Sequence, residues 1–157
     1  ARGLTALMEK LERESRASAA RRTQPQPVPG PAVQVKDLPL RGRALARFGQ
    51  PRADGLLRWD GLLLEAPAGA EVRAVRGGRV AYADWLPGMG LLLVVDHGKG
   101  FMSLYGHNEH LLKSVGDTVA QGEVISRVGD SGGESQPGLY FEVRRNGRPV
   151  DPGEWVR

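Results

Sequence analysis

The chain has 157 residues, with 22 Lys and Arg against 18 Asp and Glu for a net charge of +4, and it contains no Cys. Such a length holds one domain of ordinary size with an appendage rather than two full domains. The composition rules out disulfides, thiolate metal sites and thiol chemistry; no apolar run reaches the roughly 18 residues of a membrane-crossing helix, and no concentrated basic face with interleaved aromatics points to nucleic acid.

The charge excess sits at the start. Residues 1–22 carry six Lys and Arg against three Glu, which leaves the rest close to neutral. The opening "ARGLTALMEK" has neither an uninterrupted apolar segment nor a small-residue cleavage motif. It also lacks an initial Met, so we expect a piece of a longer protein. Leu4, Leu7, Met8 and Leu11 fall at i, i+3, i+4 and i+7 with charges between them, a spacing that predicts an amphipathic helix over residues 1–22. A helix this short is marginal alone in water, so it is expected to dock on the body or on another helix. The stretch "TQPQPVPGPAV" follows with four prolines. It reads as an extended linker, assigned to 23–37, ahead of a domain spanning 38–157.

From residue 38 onward, short apolar runs alternate with Gly-rich turns, the pattern of a mainly β domain. Strands are expected at 44–48, 61–65, 72–74, 78–84, 91–96, 102–105, 124–128 and 139–144. The continuous apolar run "GLLLVVD" predicts a central strand covered on both faces. "EHLLKSV" is the one short helix expected in the body, with His110 near its start, and His97 is expected in a turn. On the last strand, residues two apart share a face, so Gly138, Tyr140, Glu142 and Arg144 line up.

The segments "GLLLEAPAGAEVRAVRGGRVAYAD", "GMGLLLVVDHGKGFMSLYGHN", "VGDTVAQGEVISRVGDSGG" and "LYFEVRRNGRPVDP" follow one another in an order that resembles the LytM-type zinc-peptidase fold. The resemblance implies an antiparallel β-sheet domain of the duplicated hybrid motif kind. Catalytic relatives carry His-x-Gly-x-Asp on an early strand and His-x-His on a late one. Here "WDGLL" puts Trp59 and Leu63 at the first pair, and "GLY" puts Gly138 and Tyr140 at the second. Zinc chemistry needs about three N, O or S ligands and an open position. Trp and Leu offer no such atom, and Tyr could ligate only as a phenolate, from a free pKa near 10. No cofactor and no catalysis are therefore expected, and His107 matches a family histidine left without a zinc-bound water to assist.

The closest resemblance is to non-catalytic LytM proteins that activate cell-wall amidases in the Gram-negative periplasm. It implies a groove, lined by Trp59, Asp60, Leu63, Met89, Leu92, Tyr105, His107, Tyr140 and Arg144, that binds the inhibitory helix of an Ami-type amidase. It further implies a coiled coil ahead of the domain, recruited by the division complex FtsEX, of which this chain would hold only the end. Tyr140 and Arg144 are expected as exposed contacts, and Met89, in "LPGMG", as an exposed loop residue. Leu4, Leu7, Met8 and Leu11 are expected to form an autoinhibitory helix filling that groove. The alternatives are a residual metallo-endopeptidase and a passive peptidoglycan-binding module.

Overall fold

A computed structural model describes residues 2–21, 39–40, 42–52 and 57–152; the expected linker at 23–37 lies outside them. One helix, α1 (Arg2–Arg21), precedes twelve strands: β1 (Ala44–Ala46), β2 (Pro51–Arg52), β3 (Leu57–Arg58), β4 (Leu62–Glu65), β5 (Glu71–Arg73), β6 (Gly78–Leu86), β7 (Gly90–Gly98), β8 (Phe101–Leu111), β9 (Thr118–Val119), β10 (Val124–Val128), β11 (Gly138–Arg145) and β12 (Arg148–Val150). Ten of the strands form one sheet, ordered β1-β4-β11-β8-β7-β6-β9, with β10 joining β8 to β5 and β12 closing a hairpin on β11. β2 and β3 pair separately.

Alternation along β7 explains why it sits centrally. Leu93 and Val95 enter a core with Leu62, Leu64, Val72, Tyr105, Ile125, Leu139 and Phe141. Leu92 and Val94 enter a second cluster on the opposite face, with Leu86, Met102, Leu104 and Tyr140. All four β7 side chains are fully buried, as the unbroken apolar run requires.

The cover over that second face is α1. Leu4, Met8 and Leu11 are 7%, 2% and 4% exposed and join the second cluster, with Leu7 half-buried beside them. Each such burial contributes on the order of 2 kcal/mol, which is what a helix too short to stand alone requires. Glu9, Lys10, Arg13 and Glu14 remain on the solvent side.

One local expectation fails. "EHLLKSV" forms no helix: residues 109–111 continue β8, with His110 opposite Arg127 and Leu111 opposite Ser126, and Leu112 N donates to Ile125 O at 2.9 Å. Its helical propensity is overridden because β10 lies alongside and satisfies the backbone of an extended chain. His97 lies at the end of β7 rather than in a free turn: Nδ1 faces Gly77 O at 2.8 Å and Nε2 faces Ser103 Oγ at 2.7 Å.

Candidate functional site

The groove is the face of the sheet beneath α1. Residues paired across antiparallel strands point to the same side. Leu63 pairs with Tyr140, Tyr140 with Gly106, Glu142 with Leu104 and Arg144 with Met102. The pattern of period two on β11 therefore builds a floor of Tyr140, Glu142 and Arg144 continuous with Met102 and Leu104. The intervening Leu139, Phe141 and Val143 face the core. Glycine at 106 makes room, because a Cβ there would approach Met89 Cε at 3.0 Å and Tyr140 Cβ at 3.6 Å.

Most of the expected groove residues converge. Trp59 is half-buried, its ring 6.2 Å from that of Tyr140, and Leu63 packs against the same cluster. Leu92 is fully buried in the floor. Asp60 is exposed, yet close enough for its charge to act on Tyr140 and Glu142. His107 sits on the groove wall, its ring 6.2 Å from Tyr140, with Nδ1 facing Ser131 O at 2.8 Å and Nε2 facing Glu134 Oε1 at 3.1 Å.

Four expectations need correction. Tyr105 does not line the groove: it pairs with Phe141, is fully buried in the core and accepts hydrogen bonds from Ser103 Oγ at 2.7 Å and Val75 N at 3.2 Å. Tyr105 and His107 are both expected to line the groove. The backbone at His107 has φ +65°, a left-handed turn that breaks the alternation and sends the two side chains to opposite sides. Tyr140 and Arg144, expected exposed, are 5% and 7% exposed, and Met89 is 7% exposed. All three lie on the face that α1 covers, and Tyr140 and Met89 belong to the cluster that receives its apolar stripe.

The candidate set omitted Glu142. It is 1% exposed; Tyr140 OH donates to its Oε2 at 2.8 Å and Arg144 Nε to its Oε1 at 2.7 Å. Burial raises the Glu142 carboxyl above its ordinary range, against the opposing pull of Arg144. Burial also raises the Tyr140 phenol, reinforced by the negative charge of Glu142 and by the hydrogen bond to it. The available signal was one acid between Tyr and Arg on the same strand face. Ser131 and Glu134, which hold His107, gave no such signal, since they come from a turn distant in sequence.

The zinc implied by the resemblance does not fit these residues. Trp59 and Leu63 have no donor atom to give, and the Tyr140 phenol is held protonated with its hydrogen on Glu142. His107 has both ring nitrogens engaged by Ser131 and Glu134. Among the described residues, no group of three His, Asp or Glu is placed to hold a metal ion. What the face offers is an apolar floor with one embedded Tyr–Glu–Arg cluster, and Leu4, Met8 and Leu11 of α1 join that apolar floor.

Comparison with known proteins agrees with this architecture. The murein hydrolase activator EnvC of Escherichia coli is 52% identical over 118 residues, covering 75% of this chain and 28% of that protein. A lipoprotein NlpD/LppB homolog of Pseudomonas aeruginosa is 37% identical over 130 residues, covering 82% and 42%. The chain thus spans less than half the length of these relatives. A crystal structure assigned to peptidase M23 from Pseudomonas aeruginosa superposes with a TM-score of 0.70 at 28% identity, over 95% of this chain and 61% of that one. The model of peptidase family M23 matches residues 58–152, the span that holds β4, β8 and β11, and the chain belongs to that family.

Proposed function

We propose that this chain is a non-catalytic activator of N-acetylmuramoyl-L-alanine amidases in the Gram-negative periplasm, acting in cell division. Its groove binds the inhibitory helix of an Ami-type amidase and frees that enzyme's active site, and at rest α1 occupies the same groove. The observation that carries the reading is the seating of Leu4, Met8 and Leu11 over the strands where catalytic relatives would carry zinc ligands. A surface that holds one amphipathic helix by its apolar stripe is built to hold another. The similarity to a murein hydrolase activator and to a lipoprotein of the same family supports both the role and the compartment. Under the same reading the FtsEX complex is the recruiting partner, acting on a coiled coil ahead of α1 and drawing the helix away.

Tethering sets the strength of the block. Helix and groove belong to one chain, so their encounter is intramolecular and acts at a high effective concentration, and a helix of only modest intrinsic affinity keeps the groove filled. If α1 is docked about 90% of the time, the apparent affinity for the amidase falls roughly tenfold. The test mixes the protein with an Ami-type amidase and dye-labelled sacculi, with each protein alone as a control. We expect dye release only in the mixture, and about tenfold more with the chain lacking residues 1–30. Release by this protein alone would favour a residual endopeptidase; unchanged stimulation after the deletion would remove the autoinhibitory role.

A further inference from the structure

An apolar groove has no need of Glu142. Carrying a carboxylate to 1% exposure is costly in desolvation, and replacing a buried ion pair by apolar side chains of similar volume is often neutral or stabilising. What a carboxylate supplies is direction. Both Glu142 oxygens are occupied, Oε2 by Tyr140 OH and Oε1 by Arg144 Nε. Arg144 Nη1 donates in turn to Gly147 O at 3.2 Å. Two of the three guanidinium nitrogens are thereby fixed within the β11–β12 hairpin. Among the described residues, Nη2 has no hydrogen-bond partner.

Arg144 borders a cavity of about 350 Å³ at the seam with α1, where Met8 and Glu12 form the facing wall. The helix does not complete the site. Arg144 makes its ion pair with Glu142, and Glu12 makes its own with Arg16 of the same helix, at 3.3 Å, while the second Glu12 oxygen is buried without a partner. The resting occupant therefore brings a carboxylate to the neighbourhood of the guanidinium and leaves the two unjoined.

We propose that Glu142 is a positioning residue that holds the Arg144 guanidinium with its Nη2 edge turned to the groove's occupant, and that this edge reads a carboxylate on the partner helix which α1 does not supply. The inference rests on the activator reading and deepens it by naming the chemistry of the partner: an amphipathic helix with an acidic side chain beside its apolar stripe. The two occupants are then held differently. α1 is held by apolar contact, and the partner by apolar contact plus a charge-assisted hydrogen bond. That difference favours the partner by roughly 10- to 100-fold.

The experiment uses the whole chain. In wild-type protein, the Arg144 Nε–H resonance should be resolved and slow to exchange with solvent, and in Glu142→Gln it should exchange at least tenfold faster; a fast-exchanging wild-type resonance overturns the assignment. Glu142→Gln and Arg144→Met are then placed in a Leu4→Glu background, where α1 is displaced by a charge away from the Arg144 cavity, and assayed with an Ami-type amidase and dye-labelled sacculi. Each should lower stimulation at least tenfold, the pair together no further than either alone, and the salt sensitivity of stimulation should disappear. In the wild-type background, amide protection of residues 4–11 should stay within about threefold for Arg144→Met. Stimulation at the parental level in Glu142→Gln overturns the proposal, as does loss of α1 protection on the same scale as loss of stimulation. If Glu142→Gln does not fold, the Glu142→Gln/Arg144→Met pair, which removes both buried charges, carries the same test. Absence of stimulation by the Leu4→Glu chain itself refutes the activator reading, and the positioning role of Glu142 is then decided by the Nε–H resonance.

Discussion

At the scale of single residues, the chain separates its histidines by what surrounds them. His97, between Gly77 O and Ser103 Oγ, is depressed to about 4, chiefly by burial. The unfolded chain takes up this proton near pH 6.5 and the folded chain only near 4. The stabilisation is therefore complete above about pH 6.5, declines as pH falls, and is gone below about 4. The shift corresponds to roughly 3 kcal/mol. Urea denaturation between pH 7 and 4 should show that loss, and His97→Gln should flatten it. Such a residue was legible as a histidine near a turn, but its environment was not, because Gly77 and Ser103 come from other parts of the chain. The same limit explains Tyr105. The resemblance puts it in the groove beside His107, and only the left-handed backbone at His107 reveals that the two side chains part. Tyr140, Glu142 and Arg144 were legible as one face, since β11 runs without a bulge against β8. Their burial was not, because it is imposed by a helix more than a hundred residues away in sequence.

At the scale of elements, the joint between β7 and the 130–137 turn fixes the groove wall. Gly90 has φ +69°, and a Cβ placed there would collide with Ser131. Leu91 N donates to Ser131 Oγ at 3.0 Å, and His107 Nδ1 contacts Ser131 O. Gly90→Ala therefore combines a disfavoured backbone conformation with a steric clash. It should cost about 2 kcal/mol or more in chemical denaturation and shift the His107 ring resonances. The helix α1 offers the complementary case. Its stripe of Leu4, Leu7, Met8 and Leu11 was readable from spacing alone, whereas the surface that receives it had to be assembled from β6, β7, β8 and β11. Leu4→Glu places a charge at a site only 7% exposed and outside the Arg144 cavity, where an unpaired carboxylate is strongly disfavoured. Amide exchange across residues 4–11 should accelerate by at least about a hundredfold, while protection in β7 and β8 persists.

At the scale of the whole molecule, the sheet is a partition between two apolar faces, one closed permanently and the other covered by α1, which under the proposed function opens when the helix is drawn away. The permanent side, around Leu93, Phe141 and Ile125, keeps the fold intact whichever state the groove is in. A chain lacking residues 1–30 should accordingly retain a cooperative thermal transition, measured by calorimetry. Order along the chain was enough to recognise the β domain, since glycine turns and short apolar runs are local signals. Which apolar positions belong to the permanent side and which to the opening side was not, since both are equally apolar in sequence.

Removal of α1 uncovers Leu92, Val94, Met102 and Leu104 together. A contiguous apolar patch of that kind invites self-association and adventitious capture, so under the proposed function the form that binds the amidase is also the least soluble one. The Leu4→Glu chain should bind a hydrophobic dye such as ANS severalfold more strongly than wild type and should precipitate at lower concentration. Under that constraint, α1 does for solubility what a chaperone does for a nascent chain: it keeps an adhesive surface folded away until a proper client is at hand.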